Sequence, residues 1–342
     1  MTTRELPFAH AAVPPLTARL RSTPEDFLVE EILGYDADGS GEHALLWVEK
    51  RGANTDWLAR ELAKFAGVPP LAVGYAGLKD RHAVTRQALT VQLAGKPDPD
   101  WSAFPHDNVK VLAATRHGRK LKRGALRGNR FVLTLREVQG ERERAEQVLA
   151  AIAARGVPNY FGEQRFGREG GNLDQARAMF AGRRVDRDKR GFLLSAARSQ
   201  IFNSVLAARV ERGAWDAPLD GEIWSLAGSR SWFGPEPYSD VLAERLASGD
   251  IHPSGPLWGQ GEPPATGEAG ALERDVAAVH DDLAQGLVAA RMDQERRPLR
   301  LLPRDLRWRW LADDALEMSF ELPAGAYATV VARELAAAPS FA

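Results

Sequence analysis

The sequence predicts an α+β protein in which a strand-rich domain is interrupted by a more helical, acidic insertion. Three patterns carry that prediction. Apolar and polar residues alternate near both ends of the chain, apolar residues recur at helical spacing between them, and charge is segregated along the chain. Asp26–Ile32 and Ala44–Glu49 read as strands joined by an Asp/Gly/Ser-rich hairpin loop. Thr55 or Asp56 can cap a helix carrying Trp57, Leu58, Leu62 and Phe65 on one face, closed at Gly67. Gln87–Leu93 alternates again, and so does Phe131–Arg136. A helix with Ala145, Val148, Leu149 and Ile152 on one face then stops at Gly156.

The character changes at Gly156–Gly162. Helical patterns follow around Leu173–Phe180 and Ile201–Val210, and residues 253–271, rich in Pro, Gly and Glu, read as an exposed loop. Leu316, Met318, Phe320 and Leu322 alternate with Glu317, Ser319 and Glu321, a strand with one wet face. Pro323–Gly325 turns it into a final helix containing Val330, Val331 and Leu335.

The formal net charge of −1 hides a dipolar arrangement. Trp215–Asp282 holds 13 acidic residues against three basic ones, so the remainder sums to +9. Arg116–Arg136 contains eight Arg or Lys residues and no carboxylate. A second basic run, Arg296–Arg309, is interleaved with Trp308 and Trp310. Phosphates demand cations and unstacked bases favour aromatic or guanidinium faces, so both runs suit an RNA surface; a solvated face and an interface strip are the plainer readings.

With 342 residues, 44% of them hydrophobic and 27% charged, the chain suits one large or two ordinary domains. No apolar run reaches the length of a membrane span, and the first residues lack an apolar signal core, so a cytoplasmic protein is expected. Cysteine is absent, which excludes a thiolate nucleophile, disulfides and thiolate metal sites. The seven histidines are scattered, and no phosphate-cradling or dinucleotide-binding glycine loop occurs, so neither a metal nor a nucleotide cofactor is expected. What remains is cofactor-free chemistry by a carboxylate, hydroxyl or lysine. Lys79-Asp80, after Gly77 and before an alternating segment, is one place for it; on residue type alone such a pair also fits a solvated turn.

The segment Gly77–Gln87 matches Gly-x-Lys-Asp-x-x-Ala-x-Thr-x-Gln and resembles the signature of the tRNA pseudouridine synthase D (TruD) family. Further blocks agree in family order: Pro24–Phe27 with Val29-Glu30, His117–Phe131, Gly156–Gly167, Ser195–Ser199 with Ile201–Asn203, and Leu322–Thr329. The resemblance implies the mixed-sheet pseudouridine-synthase fold, circularly permuted. Residues 1–154 plus 303–342 would form that catalytic domain, and residues 155–302 a family-specific α/β insertion. It implies conversion of uridine to pseudouridine in tRNA, at position 13 in the bacterial branch, without cofactor or metal. Asp80 is then the nucleophile, with Arg21 as its cationic partner. Phe27, Phe131 and Tyr327 would wall the uracil pocket, Asn129 would hydrogen-bond the base or ribose, and Lys79 would meet a phosphate or the carboxylate. Lys120, Lys122, Arg123 and Arg127 would track tRNA phosphates beside the pocket, Arg165 and Phe166 would shape a hinge, and no obligatory protein partner is expected for a monomer. Two rivals remain open: a catalytically silent tRNA-binding relative, and a uridine C5 methyltransferase, whose customary cysteine is missing here.

Overall fold

The computed structural model describes residues 6–167 and 170–340. It divides into two compact units, one built from Thr17–Gly140 with Arg304–Gly325, the other from the chain up to Leu16, Glu141–Pro303 and Ala326–Ala338. In chain order the sheet unit begins with β1 (Leu16–Leu20), β2 (Phe27–Ile32), β3 (His43–Arg51), α1 (Thr55–Phe65), β4 (Val73–Tyr75), β5 (Val84–Gln92), β6 (Val109–His117) and β7 (Gly128–Gly140). The helical unit follows with α2 (Arg142–Arg155), β8 (Val157–Pro158), α3 (Gly171–Phe180), α4 (Arg187–Glu211), β9 (Trp224–Leu226), β10 (Trp232–Phe233), α5 (Asp240–Ala247), β11 (Ile251–Leu257), α6 (Gly267–Val279), α7 (Asp281–Ala289), β12 (Glu295–Pro298) and β13 (Arg300–Leu301). The chain then returns to the sheet as β14 (Arg304–Ala312) and β15 (Ala315–Pro323), and re-enters the second unit with α8 (Ala328–Leu335).

The large sheet runs β14-β15-β7-β2-β5-β3-β6, with β1 beside β7 and β4 beside β5. It is mixed: β2 and β5 are parallel, whereas β2–β7 and β7–β15 are antiparallel. Two alternating segments far apart in the sequence meet here. Phe131 pairs with Phe320 and Leu133 with Met318, so the apolar face of each strand continues the other's. That pairing is unusually close at Gly128, where any Cβ would come within 2.3 Å of the Leu322 carbonyl oxygen; only glycine lets β15 approach there. Under the other half of the sheet, Leu58 and Leu62 of α1 pack on Leu46 and Val48 of β3 and Leu89 and Val91 of β5, all fully buried.

In the helical unit, α4 is the core element, and its stretch Leu193–Val210 is almost continuously buried. A small sheet, β10-β9-β11-β12, accompanies it. Residues 253–271 differ from the expected exposed loop: β11 runs through Pro253 and Pro256 and is buried, and α6 starts at Gly267. The prolines are tolerated because β11 changes partner half-way. It pairs with β9 over Ile251–Pro253 and with β12 over Ser254–Leu257, so each proline, which has no N–H to donate, faces a ladder on one side of the strand in register.

The second basic run is likewise split. Arg296 is buried against Glu273 at 2.8 Å and donates to Ser254, and Arg300 is buried near the Leu246 carbonyl. These two cations therefore serve the interior of the unit. Arg304, Arg307 and Arg309 lie exposed along edge strand β14. A second interior pair, Arg209–Glu222 at 2.7 Å, holds the turn after α4; burial still pushes the Glu222 carboxyl up. Among the described residues no helix is long and apolar enough to cross a membrane, and no group of side chains could hold a metal ion.

Candidate active site

Asp80 sits in the irregular link between β4 and β5. Its backbone is tied from below: the Lys79 amide donates to the Thr55 hydroxyl at 3.0 Å, and that hydroxyl donates to the Gln87 amide oxygen at 3.0 Å. Thr55 opens α1 but spends its side chain on this link rather than on capping the helix. The Lys50 ammonium reaches the Asp80 and Lys79 carbonyls at 3.4 and 3.5 Å. The Asp80 side chain itself is 30% exposed. One oxygen accepts from the His82 amide at 2.9 Å, and the other meets the Arg21 guanidinium at 3.0 Å.

Arg21 follows β1 with a left-handed backbone (φ 66°), which non-glycine residues seldom adopt and which costs about 1–3 kcal/mol. The turn lays its guanidinium over the Phe27 ring, 3.9 Å from the centroid, while the same group grips Asp80. Burial lowers the Arg21 pKa, and Asp80 opposes that shift. The result is a carboxylate with one oxygen oriented by a charge-assisted bond and the other by a backbone amide.

Lys79 turns the opposite way. Its ammonium lies 2.7 Å from Glu31 and donates to Asn129 at 2.9 Å, with both members of the ion pair almost fully buried. The other Glu31 oxygen accepts from the Ala88 amide. Glu31 and Asn129 are cross-strand partners on β2 and β7. Elsewhere on the same strands, Phe27 and Phe131 lie edge to face with centroids 6.2 Å apart, and Phe131 leans on Phe320 at 5.8 Å. Phe27 and Phe131 are 4% and 6% exposed, so they pack as core while bordering the polar cluster. The sheet unit thus brings together Arg21, Phe27, Lys79, Asp80, Asn129 and Phe131.

The remaining aromatic, Tyr327, belongs to the helical unit. It precedes α8, accepts a hydrogen bond from Arg165 at 3.0 Å, and lies edge-on to Phe161 at 6.4 Å. Arg297 also stacks on Phe161, 4.2 Å from its centroid, and donates to the Asn159 side chain at 2.7 Å. Burial among these rings draws its guanidinium down to about 10. The block Gly156–Gly167 is therefore an ordered cradle for the Tyr327 ring, and Arg165, expected as a hinge residue, bonds the Tyr327 hydroxyl.

The chain resembles known proteins in sequence and in fold. The sequence profile of tRNA pseudouridine synthase D (TruD) matches residues 8–179 and 172–335. Two relatives carry the same description, tRNA pseudouridine synthase D. The one from Xanthomonas campestris pv. campestris (strain B100) is 55% identical, covering 96% of this chain and 94% of its own. That from Methylococcus capsulatus is 50% identical, covering 97% and 94%. The chain belongs to the TruD family. A crystal structure from Methanosarcina mazei assigned to tRNA pseudouridine synthase D superposes with a TM-score of 0.74 at 21% identity, over 97% of this chain and 96% of that one, which supports the fold.

Within this TruD chain the first basic run has unequal members. Lys120 is bonded to the Leu71 carbonyl, and Arg123 donates to the Tyr75 hydroxyl at 3.1 Å. Arg127 and Arg130 approach Glu321 at 3.9 and 2.7 Å, and Arg136 holds buried Asp26 at 2.7 Å. Arg119, Lys122 and Arg123 are exposed, and the Arg127 side chain is more than half exposed. Sequence reasoning passes over Glu31, Lys50 and Thr55. Glu31 is the second residue of an ordinary Glu-Glu pair, and Lys50 lies between two charged residues, Glu49 and Arg51. Gln87, the last residue of the Gly77–Gln87 signature, is the visible hint of the network beneath Asp80.

Proposed function

We propose that this protein isomerises uridine to pseudouridine in tRNA, at position 13, with Asp80 as the nucleophile. The observation that carries the reading is the Arg21–Asp80 pair, a carboxylate aimed by a guanidinium at 3.0 Å and yet 30% exposed to a ligand. In the reaction the C1′–N1 bond breaks, the uracil turns, and C1′–C5 forms; the hydrogen on C5 leaves to solvent and N1 gains a proton, so the formula is unchanged. No external oxidant, reductant or cofactor enters that balance.

A uracil taken out of its stack must be re-stacked, each contact being worth about 1–3 kcal/mol. Phe27 and Phe131 are the rings of the sheet unit that we assign to that task, and Asn129, already polarised by the Lys79 ammonium, is the group we assign to the base or ribose edge. Lys79 contributes through Glu31 and Asn129 rather than through a phosphate. Lys122, Arg123 and Arg127, on the surface of the sheet unit, supply phosphate contacts, with Lys120 beside them. In family terms we assign residues 1–154 and 303–342 to the catalytic domain and 155–302 to the insertion, while α2 and α8 pack with the helical unit. We place the enzyme in the cytoplasm, acting as a monomer.

The test is tritium release from tRNA carrying C5-labelled uridine. Wild-type protein should release label and Asp80→Asn should not, while both bind tRNA equally. Turnover by Asp80→Asn would remove the nucleophile assignment, and absence of release by wild type would leave the silent tRNA-binding alternative.

A further inference from the structure

Lys50 is the penultimate residue of β3 and is 1% exposed. Among the described residues no carboxylate lies within ion-pair range of its ammonium. Its partners are three backbone carbonyls, those of Ala53 at 2.6 Å, Asp80 at 3.4 Å and Lys79 at 3.5 Å. Burying a cation without a counter-ion costs several kcal/mol, and a methionine would fill the same space without that cost. Besides the Ala53 carbonyl, the cation serves the two peptide units on which the Asp80 side chain is mounted.

The segment through Lys79 and Asp80 is fixed from two directions. Thr55 holds the Lys79 amide, and Lys50 draws in the Lys79 and Asp80 carbonyls. We propose that Lys50 is a positioning residue for Asp80, its buried ammonium tying the Lys79 and Asp80 carbonyls to that of Ala53 and so fixing the frame from which the nucleophile is aimed. This rests on the reading of Asp80 as the nucleophile. Three N–H donors meet three acceptors, so loss of one proton leaves a neutral amine with two donors and forfeits part of the frame. Burial pulls the ammonium down to about 8, a shift that Asp80 opposes and Lys79 reinforces. The neighbours across the strands, Thr85 on β5 and Val109 on β6, are uncharged.

Single-turnover pseudouridine formation on an unmodified tRNA transcript, followed as a function of pH, tests the inference on the full chain. Lys50→Met should lower the rate at neutral pH by roughly 10–100-fold, the range for a displaced catalytic group, while the Kd for tRNA stays within about threefold. The wild-type rate should fall through an alkaline limb near pH 8. Lys50→Arg, whose guanidinium keeps its protons, should restore turnover and move that limb upward. Wild-type turnover by folded Lys50→Met would overturn the proposal. So would a wild-type rate that stays flat through pH 8, or one limb shared by wild type and Lys50→Arg; these decide the matter even where Lys50→Met fails to fold. A wild-type protein with no turnover at any pH marks the separate failure of the synthase reading.

Discussion

Replacing Lys79 by methionine separates a structural lysine from a substrate-binding one. The side chains of Lys79 and Glu31 are 6% and 0% exposed, and their charged atoms lie 2.7 Å apart. Methionine fills much of the volume but leaves the Glu31 carboxylate buried with the Ala88 amide at 3.1 Å and without its cation. Breaking one side of a buried pair costs about 3–5 kcal/mol. For a unit of this size each kcal/mol moves the melting temperature by about 2–4 °C, so Lys79→Met should melt roughly 6–20 °C lower by scanning calorimetry. Lys79→Met combined with Glu31→Leu removes both charges, and most of the stability should return. The slope of log K against log salt for tRNA should be the same as in wild type, because this ammonium touches no phosphate. A single variant that melts within about 2 °C of wild type, or a slope reduced by about 0.9, would refute the reasoning.

Alanine at Lys120, Lys122 and Arg123 together should weaken tRNA binding and flatten its salt slope, by up to about 0.9 for each phosphate no longer neutralised, as measured by filter binding. Lys122, exposed at the surface of the sheet unit, should account for the largest single share; an unchanged slope would reject this surface. Gly128→Ala drives a methyl into the Leu322 carbonyl oxygen and should cost at least about 1–3 kcal/mol in urea unfolding, a destabilisation that a wild-type midpoint would exclude. Lys50 also links stability to pH. Its folded value, about 8, lies below the ordinary 10.5, so between those limits the unfolded chain holds more protons and rising pH favours the fold. The shift is worth about 3 kcal/mol, and the stability advantage of Lys50→Met over wild type should shrink across that interval; a constant difference would show that Lys50 does not titrate there.

The parts of this protein legible in its sequence are those where pattern and partner coincide. The alternations at 131–136 and 316–322 belong to strands that pair with each other, so the period-two signal survives in the fold. The helix over Thr55–Phe65 has the expected Leu58 and Leu62 facing the sheet. Sequence and structure part where local composition and tertiary burial diverge. Prolines and glycines over 253–271 spell a loop unless a strand changes partners within them, and arginines at 296 and 300 spell a surface unless a distant glutamate or carbonyl is waiting inside. Lys50 is the same case: its charged neighbours Glu49 and Arg51 do not mark it as buried, and two of the three carbonyls around its ammonium come from the distant Lys79 and Asp80.

The neighbouring pair Lys79-Asp80 can be resolved further from the sequence than its residue types suggest. In a non-helical link leading into a strand, successive side chains leave the backbone on opposite sides. A carboxylate that must face a substrate therefore sends the preceding lysine towards the sheet, where an ammonium persists most readily beside a carboxylate. On β2 the buried face carries Phe27, Val29 and Glu31, and Glu31 is its acidic member. The alternation that buries Phe27 thus also selects the partner of Lys79, and that pair in turn holds the Asn129 side-chain oxygen 2.9 Å from the Lys79 ammonium.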